Sequence, residues 1–121
     1  MTNPYLDALE LVKIHSGTSG QTALAKCILS LYNGQHAFSM AEILGPLDGR
    51  YTSMVLALVR EYAEHGETEE LRTAGEWVYA QFPGLVELSE AMYEARNTVR
   101  ARWEREREEE MRRLYPEDFA D

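Results

Sequence analysis

Apolar side chains return at every third or fourth position along nearly the whole chain, and Gly, Pro and Asn separate the runs. That spacing gathers them on one stripe of an α-helix. No stretch shows the strict alternation of a strand, and Ala, Leu, Glu and Arg outnumber Val, Ile and Thr. With 121 residues the chain can build one core, not two. The expectation is an all-α, compact bundle of five to six helices, with a long, charged C-terminal helix extending beyond the core. Residues 1–103 form the bundle domain, and 104–121 a charged helical extension with an acidic tail.

Local signals set the helix ends. Asn3 and Pro4 open a first helix to His15, with Leu6, Leu9, Val12 and Ile14 inward, Leu11 at the edge, and Gly17 as its stop. Thr18 and Gln21 form a capping box for a second helix from Ser19, whose face is Leu24, Cys27, Ile28, Leu31 and Tyr32. Asn33-Gly34 ends it, since both residues tolerate positive φ. Ser39 and Glu42 make a second capping box, for a short helix from Met40 to Leu44 that Gly45-Pro46 breaks. Phe38, just before that cap, is placed as a hydrophobic staple. Asp48 caps a helix from Gly49 to His65 with Tyr51, Met54, Val55, Leu58, Val59 and Tyr62 inward and Gly66 closing it. Thr68 caps a helix from Glu69 to Phe82, with Leu71, Ala74, Trp77, Val78 and Ala80 or Gln81 inward and Pro83-Gly84 as a break. The last helix spans Leu85 to Tyr115, with Leu85, Leu88, Met92, Ala95, Val99 and Trp103 on its stripe.

The formal net charge of −9 limits the partners. Phosphate contacts need clustered cations. Here the lysines are Lys13 and Lys26, and six of the ten arginines lie between Arg100 and Arg113 among five glutamates. Direct binding of DNA or RNA is therefore not expected. A protein partner with a basic surface is, because opposite potentials speed encounter. Glu61, Glu64, Glu67, Glu69, Glu70 and Glu76 gather around Gly66 and are the candidate contact face. Ordinary solubility is the competing reading of the same cluster. The start, MTNPYLDALE, lacks the apolar run of a signal peptide. No apolar stretch reaches the roughly 20 residues of a membrane span. The lone cysteine, Cys27, forms no internal disulfide, which fits a reducing cytoplasm.

In the last helix, Arg100/Glu104, Arg102/Glu106, Arg105/Glu109, Glu108/Arg112 and Glu109/Arg113 are one turn apart. Each such pair adds about 0.2–0.5 kcal/mol to a helix, so the segment can hold its form without packing. Some 30 residues span roughly 45 Å at the helical rise, against a radius of gyration near 13 Å for a domain of this size. The end beyond Trp103 should overhang the core. Two readings stay open: a solvated tail, or an arm that binds a partner or a second copy through Met111, Leu114 and Tyr115. Arg107 interrupts the seam between Trp103 and Met111, which argues against a regular coiled coil.

Motifs for chemistry are sparse. Glu61 and His65 share a helix face at a spacing that can hold a metal, but no HExxH or further ligand motif supplies the remainder. A helix C-terminus favours His65 without any metal. Cys27 lies on an apolar stripe, as an inert buried thiol would. No phosphate-binding loop, GxSxG or CxxC occurs. The chain is read as non-enzymatic, without a cofactor or metal. A metal-dependent enzyme using Glu61 and His65 is the least favoured alternative.

The stretch SGQTALAKCILSLYNGQHAFSMAEILGPLD resembles a domain family of unknown function from bacterial phages, plasmids and integrated elements. The family pattern has a Gly-Gln helix start, a helix ending Leu-Tyr-Asn-Gly, a Phe-centred turn, an acidic capping segment and a Leu-Asp before the next helix. The residues in those places are Gly20, Gln21, Leu31, Tyr32, Asn33, Gly34, Phe38, Ala41-Glu42-Ile43, Leu47 and Asp48. The match covers about residues 18–62. It departs at Ser39-Met40-Ala41-Glu42, where the pattern has Asp-Leu-Thr-Asp, so the cap changes from Asp to Ser. The resemblance implies a fold and a mobile-element setting, hence a bacterial cytoplasm, and no activity. A small acidic helical protein in that setting is similar in profile to inhibitors of host defence such as anti-CRISPR proteins. The alternative is a self-associating structural adaptor, a homodimer through the C-terminal helix. The segment Ala74–Pro83 faintly resembles tetratricopeptide spacing, but no period repeats.

Overall fold

The computed structural model describes residues 3–14 and 17–119, and it contains six α-helices and no strand among them. They are α1 (Pro4–Ile14), α2 (Ser19–Tyr32), α3 (Met40–Leu44), α4 (Gly49–His65), α5 (Glu69–Gln81) and α6 (Pro83–Leu114), with a short 3-10 turn at Pro116–Phe119. The expected end of helix one at His15 lies outside the described residues. The all-α bundle is the observed fold.

The caps form where local chemistry puts them. Asn3 Oδ1 accepts from the backbone N–H of Tyr5 at 2.9 Å. Thr18, Ser39, Asp48 and Thr68 each accept from the amide three residues on. Gly17 and Gly66 take positive φ, 81° and 65°, and reverse the chain after α1 and α4. Asn33 does not work as expected. It is extended at φ −151°, and neither it nor Gly34 reaches positive φ. The turn is instead held by Asn33, whose carbonyl accepts from His36 N at 2.9 Å and whose Oδ1 accepts from Gln35 N at 3.0 Å.

The helix α2 is the hub and packs against α1, α3, α4 and α5. It is therefore buried on more than one stripe: Ala23, Leu24, Ala25, Cys27, Ile28 and Leu29 all sit inside. A helix apolar most of the way round belongs in a core. Gln21 is buried too. Its Oε1 accepts from Gly17 N at 2.8 Å, and its Nε2 donates to Val12 O at 2.7 Å. The reciprocal arm of the expected capping box is thus replaced by a splice joining the end of α1 to the start of α2.

Several faces are rotated from the expected ones. In α1 the inward residues are Tyr5, Ala8, Leu9, Leu11 and Val12, while Leu6 is exposed and Ile14 is 67 % exposed. In α4 Val59 and Tyr62 are exposed. In α5 Ala80 and Gln81 face solvent, and Gly75 is buried instead. Gly75 is small because the ring and Cβ of Tyr32 press against it, where α2 and α5 approach most closely. Gly20 plays the same part toward α4: a Cβ there would lie 3.3 Å from the Tyr51 ring.

Pro83-Gly84 is not a break but the first turn of α6, with Pro83 at the position where its missing N–H costs nothing. Phe82 both ends α5 and begins α6. In α6 Val86 and Ser89 are buried, Leu85 and Met92 pack partly buried against the core, and Leu88 is exposed. From Arg100 to Phe119 every residue is exposed. At 32 residues, α6 is about 48 Å long and overhangs the bundle.

Candidate partner-binding surfaces

Most residues of the Gly-Gln to Leu-Asp pattern have a structural part, and Gly34 shows none. Gly20 receives Tyr51, Gln21 splices α1 to α2, and Tyr32 covers Gly75. Asn33 caps α2 and holds the following turn, and Gly34 lies exposed within it. Phe38 and Ile43 are both buried in the core, flanking the Ser39 cap as a staple requires. Asp48 Oδ1 accepts from Tyr51 N at 3.1 Å. Of these residues Asp48, Asn33 and Gly34 are exposed, and Asp48 lines an open cleft with Thr18, Gly20 and Tyr51.

The acidic candidates gather at one corner, where Gly66 turns α4 into α5. Glu64, Glu67, Glu69 and Glu76 are exposed, and Glu61 and Glu70 are half-buried. Two have a close nitrogen partner: Glu61 Oε1 lies 3.4 Å from His65 Nδ1, and Glu67 Oε1 lies 3.7 Å from Arg72 Nη1. Glu69 and Glu70 occupy the first turn of α5, where the helix dipole favours a carboxylate. Glu76 stands apart, about a turn and a half along α5 from Glu70. The corner is thus a compact acidic surface of Glu61, Glu64, Glu67, Glu69 and Glu70. The pair of Glu61 and His65 gains no further ligand: among the described residues no three His, Cys, Asp or Glu side chains are placed to hold a metal.

The remaining reactive groups are withdrawn. Cys27 is buried, and burial pushes its thiol up to about 12. Tyr5 donates its hydroxyl to Gly66 O at 3.3 Å, and burial, with Glu61 nearby, raises it to about 12. His36 and Ser89 lie buried side by side in the join between α6 and the loop after α2. Lys13 lies over Trp77 and near Glu10, and Lys26 lies over Phe38 and near Glu42.

The second surface is α6 itself. Of the expected pairs, Arg102/Glu106 closes at 3.6 Å and Glu108/Arg112 at 2.9 Å. Met111, Leu114 and Tyr115 are exposed as expected. Met111 shares a shallow cleft with Phe119, Glu104, Arg107 and Glu108, because the 3-10 turn folds back and sets Phe119 under Arg112 at 5.2 Å. The stripe that spacing marks on α6 is only partly covered: Leu85 and Met92 pack against the core, partly buried. The stripe Leu88, Met92, Ala95, Val99 and Trp103 lies about 90° around α6 from the buried line of Val86 and Ser89. Leu88 is 49 % and Trp103 58 % exposed, and Ala95, Val99 and Trp103 line an open groove with Arg96 and Arg100.

No described helix is long and apolar enough to cross a membrane. Comparison with protein-family models, with curated proteins and with solved structures finds no match to this chain.

Proposed function

We propose that this chain is a non-enzymatic binding protein whose α4–α5 corner docks on the Arg- and Lys-rich surface of a protein partner. The carrying observation is the clustering of Glu61, Glu64, Glu67, Glu69 and Glu70 around one turn, where Arg72 is the one arginine or lysine within ion-pair distance among the described residues. Such a face suits a surface that otherwise holds nucleic acid, because it presents the same sign of charge. With the resemblance to a mobile-element family, this makes the chain an inhibitor of a host-defence complex in the bacterial cytoplasm, similar in kind to anti-CRISPR proteins. The withdrawn state of Cys27, Tyr5 and His36 supports binding over catalysis.

Affinity capture from bacterial lysate, followed by mass spectrometry, tests this reading. The tagged chain should retain a basic protein that elutes with rising salt, since exposed charge pairs are screened. Changing Glu64, Glu67, Glu69 and Glu70 together to Lys should abolish retention while circular dichroism stays helical. If the same proteins are retained by that variant, the acidic corner is not the docking face.

A second reading, a self-associating adaptor, draws on the partly uncovered apolar stripe of α6.

A further inference from the structure

We infer that α6 is an acid-released latch: when the buried His36 imidazole takes up a proton, the helix swings off the bundle about Phe82 while α1–α5 stay folded. The latch uses no residue of the acidic corner.

The bundle closes without α6. Every buried side chain of the continuous apolar core lies between Tyr5 and Val78, in α1–α5 and at Phe38. To that core α6 lends only the partly buried Leu85 and Met92, and its own buried residues are Val86 and Ser89, within two turns of its start. Lifting it uncovers much less apolar surface than unfolding the bundle does, so it opens at lower cost. A joint is in place. Phe82 lies outside both helices, at φ −125° and ψ 61°, and a change of backbone angles there redirects α6 as one body. Phe82 itself stays with the core, its ring edge-on to Trp77 at 6.5 Å.

The polar tie across the join is His36 Nδ1 with Ser89 Oγ, 2.6 Å apart. The His36 backbone is fixed to α2: its N–H donates to Asn33 O at 2.9 Å, and its carbonyl accepts from Ser30 Oγ at 2.7 Å. The ring therefore gains water by departure of α6 and not by its own. Each neighbouring element faces it with little charge. From α2 comes Ser30, while Lys26 one turn earlier lies over Phe38, 3.6 Å from Glu42. From α5 comes the edge of Tyr79, with ring centres 5.8 Å apart. From α6 come Ser89, half-buried Tyr93 and the exposed Glu90. Burial disfavours the charged ring, and Glu90 acts against that. An imidazolium still bonds to Ser89, but its charge is shut away from water with one carboxylate to offset it. Lifting α6 hydrates that charge, so proton uptake favours the lifted helix.

Thiol labelling of Val86→Cys tests this in the full chain, with native Cys27 as the reporter on α2. Each rate is divided by that of the denatured chain at the same pH, which removes the titration of the thiol itself. Protection of Val86→Cys should fall about threefold or more from pH 7.5 to pH 5. Cys27 should stay at least about tenfold better protected throughout. Circular dichroism should hold, since Arg102/Glu106 and Glu108/Arg112 support α6 on its own. His36→Gln should remove the fall, and Glu90→Gln should deepen it, because the offsetting carboxylate is gone. Should Val86→Cys loosen the join at every pH, spin labels on the exposed positions Ala63→Cys and Arg100→Cys read the same event. Their distance distribution should be narrow at pH 7.5 and broad at pH 5. Equal protection of the two thiols at pH 5 means that the bundle opens as one unit, and overturns the latch. So does protection or a label distance that ignores pH, or a fall that survives in His36→Gln.

Discussion

His36 Nδ1 lies 2.6 Å from the hydroxyl of Ser89, and both side chains are buried. The Ser89 Oγ also lies 3.0 Å from Val86 O. The Ser89 hydroxyl thus lies within hydrogen-bond reach of both the His36 ring and the Val86 carbonyl, and either the hydroxyl or the ring N–H supplies the proton between them according to the imidazole tautomer. This contact, with Val86, anchors α6 to the loop between α2 and α3.

The anchor makes stability depend on pH. Burial lowers the His36 imidazole below its ordinary 6.5, although Glu90 acts to raise it. The unfolded chain therefore binds a proton more readily than the folded one below about pH 6.5. The contribution of neutral His36 is complete above that pH and is lost as pH falls through the folded value. Thermal melts should show Tm several degrees lower at pH 5 than at pH 7. In His36→Gln the slope over that window should flatten, while exposed His65→Gln should retain it.

Gly75→Ala should destabilise the fold. Alanine gains up to about 1 kcal/mol of helix propensity over glycine. Its methyl, however, meets the root of the Tyr32 side chain, which cannot swing aside as a chain end can. Overpacking costs about 1–3 kcal/mol, so a net loss on the order of 1 kcal/mol is expected in denaturant titration. Gly84→Ala is the contrasting case: nothing lies within 4 Å of the added methyl, and a gain of about 0.5–1 kcal/mol should follow.

Gln21→Glu should separate the two bonds of the α1–α2 splice. A carboxylate still accepts from Gly17 N but can no longer donate to Val12 O, and the two oxygens then repel. Loss of the donor should cost about 1–3 kcal/mol at pH 7. Acidification protonates the glutamate and restores a donor, so the deficit against wild type should shrink toward pH 4. Gln21→Ala should show a similar deficit with no such recovery.

Cys27 should be silent in the native protein. The thiolate is the reacting form, and burial holds the thiol near 12. An aromatic disulfide reagent at pH 8 should release no chromophore until denaturant unfolds the chain, and then one equivalent. Fast labelling without denaturant would mean that α2 opens locally.

Helix ends were the most legible part of the fold, because Asn3, Thr18, Ser39, Asp48 and Thr68 act on amides two or three residues away. Which side of a helix faces inward was less legible. Leu6, Ile14, Val59 and Tyr62 fit a helical stripe, yet the neighbours of α1 and α4 cover a rotated one that includes Tyr5 and Ala8. Gly75 reads as a weak helix former until Tyr32 is seen against it. The acidic corner was visible as a run of glutamates on either side of Gly66. The stripe from Leu88 to Trp103 was visible as spacing, but spacing does not say which of its residues are covered. Packing covers Met92 and leaves Leu88, Ala95 and Trp103 exposed.

After Gly84 no proline or glycine interrupts α6, and kinks in helices arise at such residues or at inserted turns. The helix is then a stiff lever with its fulcrum at Val86 and Ser89 and a free end more than two dozen residues away. A sideways load at Trp103 or Leu114 is delivered as torque to the His36 contact, because nothing between them can bend to absorb it. Whatever grips the far end thereby pulls on the loop that joins α2 to α3.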